Sequence, residues 1–165
     1  MGPRFAQGLG MPCLTIDTPT GPMTLTEDGD AITHVEWGGP ECLDDTQLLR
    51  RAKAQIAEYF DGSRTEFDLP LRVLGSDFQR AVCEVMSAIP FGETVTYGDI
   101  SKQLNIPAQA IGQACGGNPI PLIIPCHRVL GASGLGGFSG GGGGVGGIEL
   151  KVELLRHEGA AGLLI

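Results

Sequence analysis

Basic residues are scarce in this 165-residue chain: 11 Lys and Arg stand against 19 Asp and Glu, a formal net charge of −8. A protein that grips nucleic acid by its phosphates normally carries a basic footprint, so any reading directed at DNA must answer this deficit. The deficit is uneven, since residues 1–75 hold 6 basic against 12 acidic side chains and residues 76–165 hold 5 against 7. Long apolar runs are missing as well. None approaches the roughly 18 residues of a membrane span, and no positively charged apolar leader opens the chain, so a cytoplasmic protein with no membrane partner is expected. The five cysteines, Cys13, Cys42, Cys83, Cys115 and Cys126, include no C-x-x-C pair and are expected to be free thiols in a reducing compartment. Histidine is rarer still, with three in the chain, which draws attention to the one that directly follows a cysteine.

The length suffices for one ordinary domain or two small ones without a disulfide or metal. Residues 12–36 alternate apolar and polar in short runs broken by T-P-T-G-P and E-D-G-D, the pattern of an antiparallel meander. The following segment predicts a helix with Leu48, Leu49, Ala52, Ile56 and Phe60 on one face, stopped at Asp61-Gly62. T-E-F-D-L-P-L then reads as a further strand or a linker. S-D-F-Q opens a second helix as a capping box, Ser76 capping and Gln79 reaching back, with Phe78, Val82, Val85, Met86 and Ile89 as its apolar stripe. T-Y-G-D repeats the capping pattern at Thr96 and Asp99. A helix restarts at Pro107 and stops at G-G-N-P, so residues 96–116 read as a helix-turn-helix or as an ordinary helical hairpin. The glycine-dense stretch from 131 to 147, with five consecutive glycines at 140–144, reads as a mobile loop. A last helix places Ile148, Val152 and Leu155 on one face and ends at Gly159. The fold class is therefore α+β: a small N-terminal antiparallel sheet with a helix over residues 1–75, then a mostly helical part over 76–165.

In I-I-P-C-H-R-V-L-G, Cys126 and His127 are neighbours. A thiol of ordinary pKa near 8.5 is a poor nucleophile at neutral pH unless a base or cation favours the thiolate. Adjacent side chains of an extended segment point apart, so His127 is expected to reach the thiol through a water, with Glu158 as the carboxylate that holds the imidazole. The alternative is a structural buried cysteine, since free Cys is among the most buried residue types.

The string N-P-I-P-L-I-I-P-C-H-R-V, preceded by F-G-E-T-V-T-Y-G-D-I and followed by G-G-F-S-G-G and K-x-x-L-L-x-x-E-G, closely resembles the O6-alkylguanine-DNA alkyltransferase family. The first half is similar more weakly, through T-P-T-G-P-M-T-L and A-E-Y-F-D-G. The resemblance implies a suicide reaction in which an alkyl group on guanine O6 of double-stranded DNA passes to Cys126, without cofactor. It implies that His127 is the water-mediated base, that Glu158 orients it and that Asn118 braces the turn over the site. Tyr97 would help turn out the nucleotide and protonate the departing guanine, or is simply a core aromatic. Ser139 would approach the lesion oxygen, or is simply a polar loop residue. Ala108, Gln109, Ala110 and Arg128 would meet the DNA, through its minor groove, in a monomeric complex. Some relatives carry a structural zinc in the first half, but Cys13, Cys42 and His34 lack a convincing ligand spacing and no metal is expected.

Three departures bear on function. A-Q-A-I-G puts Gln109 where the family usually has the arginine that fills the vacated base stack. Gly116 takes a second position that is often basic, and G-G-G-V-G-G at 142–147 lengthens the binding loop. Two further readings follow: a sensor on the same fold that flips alkylated bases without repairing them, against which Cys126 itself counts, and an engineered self-labelling protein that uses free benzylguanine.

Overall fold

Alternation over residues 12–36 becomes three strands with a helix to cover one face of the sheet. In the computed structural model, which describes residues 11–132 and 147–160, β1 (Cys13–Thr18), β2 (Gly21–Asp28) and β3 (Ala31–Trp37) form an antiparallel sheet in the order β1-β2-β3. Gly29, at φ 68°, makes the tight turn between β2 and β3, a left-handed conformation that glycine adopts without a Cβ penalty. Helix α1 (Gln47–Asp61) is capped by Thr46, whose side chain accepts from the Leu49 amide at 3.0 Å, and ends on Gly62 at φ 90°. Its buried face is Leu49, Ala52, Gln55, Ile56 and Tyr59. Leu48 and Phe60, expected on that face, are only half-buried. Tyr59 takes the place of Phe60, and Gln55 is buried because its side chain exchanges hydrogen bonds with the backbone of Asp68, 3.0 Å from its amide nitrogen and 2.8 Å to its oxygen. Of T-E-F-D-L-P-L, Leu71 makes a single parallel bridge to Ile32 rather than a strand.

The expectation of five free thiols fails here. Cys13 and Cys42 are joined in a disulfide. The cause lies in topology: after β3 the chain returns along β1, so that Thr15 N–H donates to Cys42 O and Asp44 N–H to Cys13 O. Twenty-nine residues of sequence separate two cysteines that the meander makes neighbours. The compartment argument from free thiols thereby loses two of its five cysteines.

The chain divides into two units, Met1–Arg72 and Val73–Ile165. In the second, α2 (Asp77–Ser87) buries Val82, Cys83 and Met86. Ser76 caps it, accepting from the Gln79 amide at 3.0 Å. The reciprocal half of that capping box is not made; the Gln79 side chain instead donates to Ala114 O at 2.8 Å. A short strand β4 (Val95–Thr96) leads into α3 (Tyr97–Leu104), where Thr96 and Asp99 complete their capping box. Asn105 at φ 58° ends α3, and α4 (Ala108–Gly116) begins after Pro107 and packs against it. Loop 117–125 carries the chain to a 3₁₀ turn at Cys126–Arg128 and to β5 (Val129–Leu130). β5 pairs in parallel with β4, Val95 opposite Val129, which sets the start of α3 beside the turn that holds Cys126.

Helix α5 (Gly147–His157) buries Gly147, Leu150, Lys151, Leu154 and Leu155. Ile148, expected inside, is 45% exposed, and Val152 is half-buried. The observed stripe is turned from the expected one so that it takes in Lys151. The glycine run at 140–144 and Ser139 lie outside the described residues.

Candidate active site

Loop 117–125 positions the site through one side chain. Asn118 donates from Nδ2 to Ile124 O at 2.8 Å and accepts from the Ile120 amide at 3.0 Å, tying both ends of the P-I-P-L-I-I segment together. Within that segment Leu122 is buried at φ 74°, a backbone conformation that costs a non-glycine residue energy and survives only where its surroundings impose it. Cys126 then opens the 3₁₀ turn, its amide donating to Ile124 O at 2.8 Å. Burial pushes the Cys126 thiol up to about 11, against a hydrogen bond from Asn118 and the charge of Lys151. At neutral pH this group is a thiol and needs a base to become a nucleophile.

The next residue is a buried imidazole. His127 is wholly buried, with Nε2 at 2.7 Å from Oε2 of Glu158. A carboxylate can only accept, so the proton sits on Nε2 and Nδ1 keeps its lone pair. Among the described residues Nδ1 has no hydrogen-bond partner. Burial lowers the His127 pKa against the pull of Glu158, leaving the ring neutral, the form that accepts a proton. For Glu158, burial alone would raise the carboxyl, yet hydrogen bonds from His127 and Arg128 outweigh it and hold the group ionised far below the usual carboxylate range.

Arg128 does not face outward. Its Nε donates to Glu158 Oε1 at 2.8 Å, Nη2 to Oε2 at 2.9 Å and Nη1 to Ile89 O at 2.6 Å, and its guanidinium lies 5.8 Å from the Phe91 ring centroid. At 6% exposure it offers no surface to a phosphate, so its assignment to DNA contact is corrected: it is the cation that neutralises Glu158. Ala108 and Gln109 are exposed at the start of α4, and Ala110 is half-buried behind them. Tyr97, half-buried at the start of α3, lies beside a residue that sequence reasoning passed over. Lys151 is fully buried, donates to Val129 O at 2.7 Å and stands 5.9 Å from the Tyr97 ring centroid. A signal for it existed. Lys151, Leu154, Leu155 and Glu158 recur at i, i+3, i+4 and i+7, the spacing of one helix face.

Residues 77–160 match the family model described as 6-O-methylguanine DNA methyltransferase, DNA binding domain, and residues 11–73 match its ribonuclease-like domain. The chain belongs to this family. A methylated-DNA–protein-cysteine methyltransferase of Mycobacterium bovis is 43% identical over 129 residues, covering 73% of this chain and 78% of its own. One from Archaeoglobus fulgidus is 46% identical over 105 residues, covering 64% and 71%. The crystal structure of the Mycobacterium tuberculosis O6-methylguanine methyltransferase superposes with a TM-score of 0.79 at 38% identity, covering 94% of this chain and 96% of that one. The same organism's protein in complex with DNA gives 0.76 at 41%, covering 89% and 92%. In this methyltransferase family the buried Cys126 turn occupies the DNA-binding-domain match, and Glu158 falls within it too. No helix among the described residues is long and apolar enough to cross a membrane. With Cys13 and Cys42 oxidised, neither sulfur offers a thiolate to a metal.

Proposed function

We propose that the protein repairs O6-alkylguanine in double-stranded DNA by moving the alkyl group irreversibly to Cys126. The observation that carries this reading is the buried Cys126 next to a neutral His127 whose Nε2 is held by the ionised Glu158 at the end of α5, with Nδ1 of His127 left as the ring nitrogen able to take a proton. The thiol proton passes through a bridging water to Nδ1. The thiolate attacks the alkyl carbon in line, the S–C bond forms, the C–O6 bond breaks and its electron pair leaves on guanine, which takes a proton from the Tyr97 hydroxyl. The thioether product has no route back, so each molecule acts once.

The atom attacked lies inside the base stack, so the nucleotide must first be flipped out. Helix α4 presents Ala108, Gln109 and Ala110 for that task, entering the minor groove with Gln109 in the emptied space. Asn118 braces the turn. The protein works as a monomer in the cytoplasm, where its substrate is, and the scarcity of cations on α3 and α4 makes its hold on DNA weak. Incubation with free O6-benzylguanine and with O6-methylguanine duplex, followed by peptide mass analysis, tests this function. One alkyl group on Cys126 from both substrates is expected; a flipped but unrepaired guanine with an unmodified protein would favour a sensor instead.

A further inference from the structure

The P-F-G-E turn that follows α2 meets the buried ion pair at three separate points. Ile89 O, just before the turn, accepts from Nη1 of Arg128 at 2.6 Å. The centroid of the half-buried Phe91 ring lies 5.8 Å from the Arg128 guanidinium, within the range of a cation–π contact, and 6.3 Å from the ring of His157 on α5, the two rings inclined at 81°. Gly92, at φ 84°, comes so near the end of α5 that a Cβ there would stand 3.3 Å from Glu158 O, an approach that glycine alone makes without strain. Pro90 O accepts from the Glu93 amide at 3.1 Å, which closes the turn on itself. The ion pair beneath is therefore covered on this side by one aromatic ring, and the strength of every charge contact under that ring depends on how little water reaches it.

We propose that Phe91 is a positioning residue for alkyl transfer, its ring closing the Arg128–Glu158 pair to water so that the carboxylate keeps its full hold on the His127 imidazole. The proposal rests on His127 taking the Cys126 proton. Glu158 is bonded to both neighbours: Oε1 and Oε2 accept from Arg128, and Oε2 also accepts from Nε2 of His127. When the imidazole gains a proton at Nδ1, this carboxylate stabilises the new cation, and the attraction falls as the local dielectric rises. Water admitted beside Arg128 weakens it and leaves His127 a weaker base. The ionisable groups that face His127 are Glu158 and Lys151 on α5 and Arg128 on its own turn, with the Cys126 thiol next in sequence; the two cations push the imidazole pKa down, and Glu158, in direct contact, pulls it up more strongly. Phe91 itself handles no proton and acts only through Glu158.

Phe91→Ala removes the cover, and Phe91→Leu returns apolar bulk to the same place. The rate of benzyl transfer from free O6-benzylguanine and the rate of Cys126 labelling by iodoacetamide are measured across the neutral and mildly alkaline range for both variants, for Glu158→Gln and for Phe91→Ala combined with Glu158→Gln, the modified cysteine being located by peptide mass. Phe91→Ala is expected to slow both reactions about tenfold near neutral pH, the equivalent of one pKa unit on the imidazole, with a deficit that shrinks as pH rises and hydroxide shares the work of the base. Phe91→Leu is expected to recover most of that loss. In the Glu158→Gln background Phe91→Ala is expected to slow neither reaction further, because two residues that act through one contact are not additive. A Phe91→Ala deficit that is absent or constant with pH, a Leu variant as slow as the Ala variant, or the full loss repeated on top of Glu158→Gln overturns the proposal. Labelling of Cys83 and Cys115 reports unfolding: if the combined variant shows it, the single-variant profiles decide, and if Phe91→Ala shows it, Phe91→Val takes its place. Absence of benzyl on wild-type Cys126 would sink the alkyl-transfer reading instead, while the iodoacetamide rates still judge Phe91.

Discussion

Glu158 accepts three hydrogen bonds in a space closed to solvent, one from His127 and two from Arg128. Its carboxyl is held below its unfolded value, so the stability it contributes is fully present above about pH 4.3 and is lost as pH falls through the lower folded value. Glu158→Gln therefore has two expected effects. It leaves a buried guanidinium without its anion, which costs about 3–5 kcal/mol, visible as a lower urea midpoint at pH 7 and a flatter dependence of stability on acid than the wild type shows. It also leaves His127 a weaker base, slowing benzyl transfer near neutral pH with a deficit that shrinks as pH rises. A urea midpoint unmoved at pH 7 would mean that Arg128 finds its compensation elsewhere. Cys126→Ser, by contrast, is expected to abolish transfer while leaving that midpoint within about 1 kcal/mol of the wild type, as befits a small change that keeps a donor at the site.

At the scale of elements, the proposed function rests its hold on DNA on α4. Its exposed positions include Ala108, Gln109, Gln113 and Gly116, none of them a cation, and each phosphate neutralised adds about 0.9 to the magnitude of the salt slope. Gln109→Arg is expected to tighten binding to alkylated duplex, steepen that slope and speed repair of duplex, with little change in the rate on free O6-benzylguanine. Equal acceleration on both substrates would remove Gln109 from the base stack and α4 from the DNA-facing surface. In the first unit the disulfide closes a loop of 29 residues around the whole meander. Its removal in a Cys13→Ala, Cys42→Ala variant is expected to cost about 3.5 kcal/mol by chain entropy, measured by denaturant unfolding under oxidising conditions; equal stability with and without the bridge would contradict it. The caps at Ser76 and Thr96 could be read because each is a short local pattern. The disulfide could not be read, because it depends on where the chain returns after β3.

For the molecule as a whole, what was legible in sequence follows the range of the interaction. The strands and the helix pair rest on residues within a few positions of one another, and Glu158 could be singled out from L-L-x-x-E-G before the resemblance repeated it, whereas Cys126–His127, expected in an extended segment, opens a 3₁₀ turn. Arg128 was misplaced because a cation beside a reactive pair looks like a phosphate ligand until α5 is seen to bring a buried carboxylate against it. Lys151 was passed over for the same reason, since its neighbours Val129 and Tyr97 come from two other elements. The acidic balance stands unchanged beside all this and sets the expectation of weak duplex binding. The central claim is that one buried thiol, and no other, takes the alkyl group. Incubating the protein with duplex containing O6-methylguanine, then digesting it and locating any added methyl by mass, tests this most directly. One methyl per protein is expected, on Cys126, with guanine restored in the DNA. Methyl on Cys83 or Cys115, or restored guanine with Cys126 unmodified, would contradict it.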